Sequence, residues 1–479
     1  MLWLALHLPR LALEVFQRGQ PGDTARQHPA PPVAVTVPAP GLRVVLADAA
    51  AVRQGVRPGM TLAAAHALVP DLVARARDPD LELCALESLA LWAGQFTPAI
   101  SLAPPDALLL EIGGCLRLFD GLDALLARAR QGIGSLGFDA VLACAPTPSG
   151  ALMLARNGLE AHAADLVTLQ HWLGQLPVEA AEAPAHTLAA LRALGMRTIS
   201  ECLRLPRDGF ARRFGPELLD QLDRALGLRP DPRVPHVPPA RFSSRLVLPV
   251  PVPGVEQVLF GARRLATELA GFLAGRDAGV TRFTLRLEHE DHPPTPVLVE
   301  LSMPSRDPAH LALLLRERLG RITLPGPVEA FSLRCSETMQ LAPRNFSLFP
   351  DRDEAAGHRV ELVERLRARL GRDAVHGLAL VPEHRPELAF REAEPGTASA
   401  PPPGTPRPLW LLQPPRPVAR AGLRLLAGPE RIESGWWEGN DIRRDYYVAA
   451  VDDGARVWAY REAGADGAAE HWFLHGLFA

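Results

Sequence analysis

The sequence predicts a multidomain protein of mixed α/β class. Short apolar strands alternate with helical segments over the first 165 residues, which is typical of a layered α/β structure. Residues 241–335 follow the order strand, helix, strand, strand, helix, strand. The last 70 residues combine aromatic side chains with short strand-like runs, which predicts a small β-rich module.

The composition excludes several classes of protein. A chain of 479 residues can bury several cores, and a formal net charge of −3 provides no overall positive field for a nucleic acid. The sequence contains no lysine, which excludes a P-loop, a kinase-type lysine and a Schiff-base nucleophile, because each needs an amine. The five cysteines lie far apart without paired spacing, which argues against a cysteine zinc site and favours a reducing compartment.

The apolar N-terminus, MLWLALHLPRLALEVF, has the wrong pattern for a targeting segment. It carries His7, Pro9, Arg10 and Glu14 and has no basic leader or small-residue cleavage site. We therefore expect neither a signal peptide nor a membrane span, and we expect a cytoplasmic protein.

The first region is expected to begin with a strand at Leu2–Leu8 and to continue with a second strand at Val44–Leu46. An alanine-rich helix, a GVRPG turn and a second helix that stops before Pro70 should follow. The remaining predicted elements of this region are the helices Leu83–Phe96, Leu122–Gly132 and Ser149–Asn157 and the strand Ala140–Ala145.

The stretch DALLLEIGGCLRLFD, residues 106–120, is the most informative part of this region. Its apolar run is too short for an ordinary helix and is broken by Gly113 and Gly114, which predicts a buried strand. Asp106 and Glu111 bracket that strand, and carboxylates in this position indicate either metal chemistry or an ion pair. Asp106 follows Pro105 and is more typical of a turn before a strand than of a metal ligand, and Glu111 can pair with an arginine such as Arg117.

Residues 165–238 change to short helices. Leu188–Leu194 and Gly195 predict a helix and a tight turn before the next helix, and a second pair is expected around Gly209 and Gly215. Residues 185–245 contain eleven arginines and six acidic residues, and helical hairpins can offer backbone amides to a phosphate. A solvated helical subdomain explains the same charges. The arginines that we assign to a DNA contact here are Arg192, Arg197, Arg212 and Arg213.

Residues 241–335 form the clearest unit of the sequence. Its order, βαββαβ, predicts a four-stranded sheet with both helices on one face. The open face would then carry Arg282 and Arg286, which we also assign to a DNA contact. The predicted strands and helices are Arg245–Val250, Val255–Ala274, Val280–Glu288, Val297–Met303, Pro308–Gly320 and Val328–Cys335.

The remainder of the chain has a different character. NFSLFP, residues 345–350, is a short apolar peptide outside any predicted domain, Val360–Leu370 is an arginine-rich helix, and residues 394–408 are a proline-rich linker. The last 70 residues contain five of the eight tryptophans and all three tyrosines, which indicates a compact core, a partner interface or both. The residues that we assign to partner binding are Trp436, Trp437, Tyr446, Tyr447 and Trp472.

Several of these motifs occur in the order found in one polymerase family. They are Glu14 after the first strand, GVRPGM at 55–60, FTPAIS at 96–101, LLLEIGG at 108–114 and the helical hairpin near Gly195. Together they resemble the Y-family translesion DNA polymerases over roughly residues 1–345. The tail motifs GPERIESGWWEGNDIRRDYYV and HWFLHGLFA resemble the ImuB branch of that family.

The resemblance implies five parts of the chain. Residues 1–165 would form a palm and fingers-like domain, residues 166–240 a thumb-like helical hairpin region, and residues 241–340 a little-finger-like domain. Residues 341–408 would hold a clamp-binding peptide, a helix and a proline-rich linker. Residues 409–479 would form the aromatic module.

The resemblance also implies where metal ligands should stand. Active members of the family hold divalent cations with acids from the patterns DxDAFFASVE and SIDEAYLD, and Glu14 and Glu111 anchor the alignment of those patterns here. The corresponding positions of this chain hold Ala5, His7, Asp106 and Ala107. Two divalent ions need bridging oxygens, and one aspartate does not provide them.

The residues that handle the nucleotide in the family are replaced as well. The positions of its Tyr-x-x-Arg motif hold Ala49 and Val52, and those of its Asn-Lys pair hold Thr147 and Pro148. We therefore expect a non-catalytic relative that needs no cofactor. The alternative is a weak, Mg²⁺-dependent Y-family polymerase that uses Asp106 and Glu111 with one further ligand.

The peptide at 345–349 resembles the pentapeptide that binds the sliding clamp. Leu348 and Phe349 would fill an apolar pocket while Asn345 bonds its rim, and Phe346 and Ser347 complete the motif. The alternative is that its phenylalanines cap the preceding sheet.

The resemblance implies an adaptor that holds primer-template DNA, docks on the clamp and recruits partners during SOS mutagenesis at the bacterial nucleoid. Those partners would be an ImuA-type, RecA-like protein and an error-prone DnaE-type polymerase. A scaffold that does not bind DNA is a third interpretation.

Overall fold

The structure, a computed structural model, describes residues 1–19, 31–341, 352–397, 407–436, 439, 441–452, 454–462 and 471–478. It divides into two units, Met1–Arg369 and Leu370–Ala479. Both units mix strands with helices or helical turns, and the first one contains most of the helices.

The strands of the first unit are β1 (Trp3–His7), β2 (Val33–Val37), β3 (Arg43–Ala47), β4 (Val73–Ala76), β5 (Ile100–Ala103), β6 (Ala107–Glu111), β7 (Val141–Ala145), β8 (Phe242–Val252), β9 (Ala278–His289), β10 (Thr295–Ser305), β11 (Val328–Cys335) and β12 (Met339–Gln340). Its helices are α1 (Leu11–Gln17), α2 (Ala49–Arg53), α3 (Leu62–Leu68), α4 (Pro79–Ala93), α5 (Leu122–Leu136), α6 (Pro148–Arg156), α7 (Leu166–Gln175), α8 (Ala185–Ala193), α9 (Ile199–Leu203), α10 (Arg207–Phe214), α11 (Pro216–Ala225), α12 (Val255–Ala274) and α13 (Pro308–Leu319). A further helix, α14 (Arg352–Leu370), ends at the boundary between the units.

A central sheet of four antiparallel strands in the order β5-β6-β1-β7 organises the first unit. Alternate side chains of its strands point to opposite faces, and both faces are buried. Leu4, Leu6 and Leu108 pack in one apolar cluster with residues of α1, α4 and α5. Ala5 and Leu109 pack in a second cluster with residues of α6 and of the helical hairpin region, which comprises α7–α11.

The edges of the predicted elements move where a capping side chain sits. Helix α4 begins at Pro79, earlier than predicted, because Asp78 accepts a hydrogen bond from the backbone amide of Leu81 at 3.0 Å.

Strands β2 and β4, which were not predicted, join β3 in a small sheet of order β3-β2-β4 beside α2 and α3. Its apolar cluster includes Ala34, Val44 and Val69.

The predicted βαββαβ unit forms a sheet of order β10-β9-β11-β8, which we call the arginine sheet. The short strand β12 also pairs with β9. Helices α12 and α13 share one apolar cluster with the inner face of this sheet. Helix α12 also contacts α4 and α5, so it lies between the arginine sheet and the helical layer of the central sheet.

Glycines allow α12 and α4 to approach closely. A Cβ atom added at Gly271 would lie 2.6 Å from Cδ1 of Trp92, and one added at Gly275 would lie 2.8 Å from backbone atoms of Gly94. The buried side chains of Arg18 and Glu268 form an ion pair beside this crossing. The arginine sheet therefore packs against the central sheet through a tight, partly charged contact.

The second unit is built from strands. A hairpin of β13 (Gly377–Leu380) and β14 (Phe390–Ala393), which was not predicted, lies between the predicted helix Val360–Leu370 and the predicted linker at 394–408. The other strands are β15 (Trp410–Val418), β16 (Arg424–Ser434), β17 (Ile442–Ala450), β18 (Arg456–Glu462) and β19 (Trp472–Leu477). They form one antiparallel sheet of order β15-β19-β18-β17-β16.

In the described part of the chain, no helix combines the length and the apolar character that crossing a membrane requires. The five cysteines are all free thiols.

Candidate functional site

One end of the central sheet gathers the positions that the sequence comparison with polymerases singles out. Strands β1 and β6 pair so that His7 lies opposite Ala107 and Ala5 lies opposite Leu109. Asp106 precedes β6, and its carbonyl oxygen accepts a hydrogen bond of 2.8 Å from the amide of Leu8. Ala5, His7, Asp106 and Ala107 therefore belong to the same two neighbouring strands.

The carboxylate of Asp106 is engaged by two basic side chains. Its Oδ1 accepts hydrogen bonds from Nη2 of Arg156 at 2.8 Å and from Nε of Arg156 at 3.1 Å, and its Oδ2 lies 3.5 Å from Nε2 of His7. Burial alone would raise the pKa of Asp106, but the hydrogen bond from His7 and the charge of Arg156 outweigh it, so this pKa lies below its ordinary value. Asp106 is the anionic member of a cationic cluster.

The neighbouring positions carry no oxygen ligands. Ala5 and Ala107 have no exposed surface and pack in one apolar cluster with Ala151, Leu154 and Ala155. Nδ1 of His7 lies 3.2 Å from the carbonyl oxygen of Ala155, and this contact holds the imidazole against helix α6.

Glu111 lies at the other end of β6, opposite Trp3. Its Oε1 accepts hydrogen bonds from the amides of Leu2 at 3.1 Å and of Gly113 at 3.2 Å. The expectation that Glu111 pairs with an arginine such as Arg117 is wrong, because its partners are backbone amides. The strand also separates Glu111 from Asp106 by five residues, about 15 Å at the rise of an extended chain, so the two acids do not converge.

These residues do not fit a two-metal site. Such a site needs several carboxylate oxygens shared between two cations. Here one carboxylate faces an arginine and a histidine, and no group of three or more His, Cys, Asp and Glu residues able to hold a metal ion occurs among the residues that the structure describes.

The positions that would handle a triphosphate have structural roles. Ala49 and Val52 belong to the short helix α2. Thr147 caps α6 by accepting a hydrogen bond from the amide of Gly150, its hydroxyl donates to the carbonyl of Ala225 at 2.7 Å, and Pro148 begins the helix. These contacts stabilise the start of α6, and neither Thr147 nor Pro148 supplies a basic group.

The helical hairpin region presents arginines on its surface. Arg192 pairs with Glu179 at 2.6 Å, so its charge is partly compensated. Arg197, Arg212 and Arg213 are exposed and have no carboxylate partner within the described ranges. These three are the better candidates for a phosphate contact.

The backbone of the first hairpin is less available than predicted. Gly195 has a φ of +82°, which closes the turn between α8 and α9. The amide of Arg197 donates to the carboxylate of Glu201 at 2.6 Å, and the amide of Met196 donates to the carbonyl of Leu191 at 3.0 Å. Because these amides have partners, the side chains rather than the backbone of this hairpin are free to meet a phosphate.

The arginines on the open face of the arginine sheet fall into two groups, those paired with a carboxylate and those without a carboxylate partner among the described residues. Arg282 pairs with Glu300 at 2.7 Å, and Arg245 pairs with Glu288 at 2.6 Å. Arg286 is exposed and, like Arg334, has no carboxylate partner in the part of the chain that the structure describes.

Arg286 and Arg334 lie on adjacent strands, since Arg286 is opposite Ser332 and Arg334 is opposite Thr284. Arg334 was not among the predicted DNA contacts. It lies two residues after Ser332 in β11, and residues two apart in a strand share a face, so the strand period indicates that Arg334 lies on this face. These two arginines form the uncompensated positive part of this surface.

Two of the five aromatic residues assigned to partner binding, Tyr446 and Trp472, are core residues, and Tyr447 is partly buried in the same apolar cluster as Trp472. Tyr446 has no exposed surface, its ring stacks on Trp458 with centroids 4.0 Å apart, and its hydroxyl lies 2.8 Å from Nδ1 of His475. Trp472 is buried against Tyr447. The assignment of Tyr446 and Trp472 to a partner contact is corrected, because their burial stabilises the sheet of the second unit.

Two other members of that set have different positions. Trp436 follows β16 and is 73% exposed, so its ring is accessible to a partner. Trp437 lies outside the described residues.

The predicted clamp-binding peptide, Asn345–Phe349 with Phe346, Ser347 and Leu348, also lies outside the described residues. The elements on either side of it are anchored on the arginine sheet. Met339 of β12 pairs with Gly279 of β9. In α14, Glu364 accepts hydrogen bonds from the amide of Ser302 at 2.6 Å and from His310 at 2.7 Å.

Comparisons with known proteins agree with the motif order. Residues 25–156 match the impB/mucB/samB family (IMS). Protein ImuB of Caulobacter vibrioides (strain NA1000 / CB15N) is 30% identical over 458 residues, which cover 88% of this chain and 100% of that protein. Protein ImuB of Caulobacter vibrioides strain ATCC 19089 / CIP 103742 / CB 15 matches with the same values.

Solved structures that align with this chain include a Y-family DNA polymerase chimera and a DinB protein. A Y-family DNA polymerase chimera, Dbh-Dpo4(243-245)-Dbh, aligns with a TM-score of 0.40 and 18% identity over 70% of this chain and 98% of that chain. DinB from Sulfolobus solfataricus aligns with a TM-score of 0.39 and 17% identity over 71% of this chain and 100% of that chain.

Proposed function

This chain belongs to the ImuB family, and from that membership we propose that it is a non-catalytic, polymerase-like adaptor for translesion synthesis. In this proposal the chain binds primer-template DNA in the bacterial cytoplasm, at the nucleoid, and docks on the sliding clamp. It recruits an ImuA-type, RecA-like protein and an error-prone DnaE-type polymerase, which carries out the synthesis during SOS mutagenesis.

The observation that carries the non-catalytic part is the environment of Asp106. Its two oxygens face Arg156 and His7, and the flanking positions are the buried Ala5 and Ala107. A phosphoryl transfer that relies on paired divalent cations needs acidic ligands at such a place. At this end of the sheet, the side chains around Asp106 are the basic Arg156 and His7.

Primer extension tests this part of the proposal. The purified chain with primer-template, all four dNTPs and Mg²⁺ should not extend the primer, and extension should appear when a DnaE-type polymerase is added. Extension by the chain alone that is abolished by Asp106→Ala would favour the alternative, a weak Y-family polymerase.

The DNA contact is supported by exposed arginines without carboxylate partners on two surfaces, within the described residues. They are Arg197, Arg212 and Arg213 of the helical hairpin region and Arg286 and Arg334 of the arginine sheet. Arginines that neutralise phosphates release counterions, so binding should weaken steeply with added salt.

Fluorescence anisotropy with labelled primer-template DNA separates these arginines from paired ones. Arg286→Ala combined with Arg334→Ala should weaken binding and reduce the slope of log K against log salt by about 2. Arg282→Ala, which removes an arginine already paired with Glu300, is the matched control and should change the slope much less. If the unmodified chain shows no salt-sensitive DNA binding, a scaffold that does not bind DNA is favoured.

The clamp contact is supported by the sequence NFSLF and by its place between two anchored elements, β12 and α14. Leu348→Ala with Phe349→Ala should abolish capture by the sliding clamp while circular dichroism stays unchanged. Gln340→Ala, at an exposed position of β12, should leave capture intact. Equal capture by all three proteins would contradict the assignment.

Partner recruitment is supported by the exposed Trp436 at the end of β16. Large aromatic side chains are frequent anchors of protein interfaces. Trp436→Ala should reduce capture of the DnaE-type polymerase or of the ImuA-type protein. Trp410→Ala, which removes a ring that is 69% exposed on a different strand, is the control.

A further inference from the structure

Arg156 makes more contacts than a surface ion pair requires. It is the last residue of α6, its side chain is only 16% exposed, and all three of its guanidinium nitrogens have acceptors. Nε and Nη2 donate to Asp106, Nη2 also lies 3.3 Å from the carbonyl oxygen of Pro104, and Nη1 donates to Glu182 at 2.7 Å. A half-buried guanidinium with this many partners has a fixed position.

The two carboxylates that Arg156 joins come from different parts of the first unit. Asp106 lies in the turn before β6 of the central sheet, and Glu182 ends the short helical turn Val178–Ala181 of the helical hairpin region. The backbone of Glu182 has a φ of +51°, a conformation that costs free energy for a residue other than glycine. The bond to Arg156 is one contact that holds Glu182 in this conformation.

The same junction is apolar beneath the charges. Ala103 and Ala107 of the central sheet share a buried cluster with Ala180 and Ala183, which flank Glu182 closely in sequence. Alanine side chains are small and interdigitate little. This cluster therefore fixes the distance between the central sheet and the helical hairpin region better than it fixes their lateral alignment. The hydrogen bonds of Arg156 are directional, and they fix this lateral alignment.

We propose that Arg156 is a built-in cation that positions the helical hairpin region on the central sheet. Its guanidinium binds the one carboxylate that remains where metal-dependent polymerases have acidic ligands, and it links that carboxylate to Glu182. The orientation of the hairpin arginines toward DNA is therefore independent of Mg²⁺. This inference concerns the chain alone and does not require the clamp or polymerase contacts proposed above.

Hydrogen exchange followed by mass spectrometry tests the inference on the full chain. Arg156→Met keeps most of the side-chain volume and removes the charge, and it should accelerate exchange in residues 178–203 by roughly tenfold, the effect expected for losing charged hydrogen bonds. Arg130→Met removes an exposed partner of Glu160 and should leave exchange in that segment unchanged.

Two further measurements distinguish positioning from general stability. If Arg156→Met unfolds the whole unit, Glu182→Ala removes only the acceptor on the hairpin region, so faster exchange confined to residues 178–203 supports the proposal. In the unmodified chain, exchange in this segment should be the same with Mg²⁺ and with EDTA. A change with Mg²⁺, or exchange in Glu182→Ala equal to that of the unmodified chain, would overturn the inference.

Discussion

Arg18 and Glu268 form a buried ion pair across the contact between the central sheet and the arginine sheet. Their side chains are 5% and 1% exposed, and Ser244 donates a further hydrogen bond to Glu268. Helix α12 carries Glu268, whereas Arg18 follows α1. The helical layer of the central sheet and the arginine sheet are therefore joined by charges that water does not reach.

Removing one member of this pair should be costly. Glu268→Ala leaves Arg18 buried without its anion and should lower the free energy of unfolding by about 3–5 kcal/mol, measured by urea denaturation. Arg130→Ala breaks an exposed pair with Glu160 and should cost about 0–1 kcal/mol. A loss below 1 kcal/mol in Glu268→Ala would mean that water enters this contact.

The crossing of α12 and α4 depends on the absence of a side chain at Gly271. A Cβ atom there would lie 2.6 Å from Cδ1 and 2.8 Å from the carbonyl oxygen of Trp92. Gly271→Ala should destabilise the protein by about 1–3 kcal/mol in thermal or urea denaturation. Gly134→Ala in α5, where no atom lies within 4 Å of the added Cβ, should instead stabilise its helix by up to about 1 kcal/mol.

The buried carboxyl of Glu14 should make stability depend on pH. Burial raises its pKa from 4.5 to about 7, and among the groups around it are Asp139, Arg10 and Arg264. Because the folded state binds this proton more tightly than the unfolded chain does, the carboxylate opposes folding increasingly as the pH rises from 4.5 through 7. Glu14→Gln should therefore raise the melting temperature at pH 8 and change it little at pH 5.

Glu160→Gln, at a half-exposed carboxylate, is the control for that experiment. It should leave the melting temperature nearly the same at both values of pH. A decrease for Glu14→Gln at pH 8 would mean that the ionised Glu14 stabilises the fold.

The contact between His310 and Glu364 should respond to pH in the opposite sense. The hydrogen bond to Glu364, 2.7 Å long, raises the pKa of His310 above 6.5 despite partial burial. Its stabilisation is complete below pH 6.5 and is lost as the pH rises through the higher pKa of the folded state. Hydrogen exchange in residues 358–370 of α14 should accelerate over that range.

His310→Gln retains a hydrogen-bond donor without a titratable charge. Amide exchange increases with pH in any protein. In this variant, exchange in α14 should show only that ordinary increase, without the additional acceleration expected for the unmodified chain. If the unmodified chain and His310→Gln show the same profile, the histidine does not hold this helix.

Sequence patterns predicted elements whose boundaries have local causes. Val255–Ala274 and Val328–Cys335 occur with the predicted bounds, the helix because Gly254 and Gly275 flank an amphipathic run. Strand β2 was missed because its five residues are enclosed by prolines, and β13 and β14 were missed because a four-residue strand gains its identity from its pairing partner.

Contacts between distant residues account for the errors at the candidate site. Glu111 bonds to the amide of Leu2, 109 residues away, and no local pattern reports such a partner. The ion pair and the turn position that were expected of Asp106 are both observed, but the sequence did not identify its partner, because Arg156 ends a helix 50 residues later. The adjacent Tyr446 and Tyr447 point to opposite faces of β17 and pack in two different apolar clusters, so composition alone did not separate core rings from rings open to a partner.

The packing of Ala5 and Ala107 restricts how this chain can change over generations. A single acid introduced at either position would enter a layer of methyl groups with no solvent and no free cation beside it, and it would cost several kcal/mol of folding before it could hold an ion. Regaining a two-acid pocket would thus require several replacements at once. Replacements at the exposed surface arginines meet no such cost, because their side chains already lie in water.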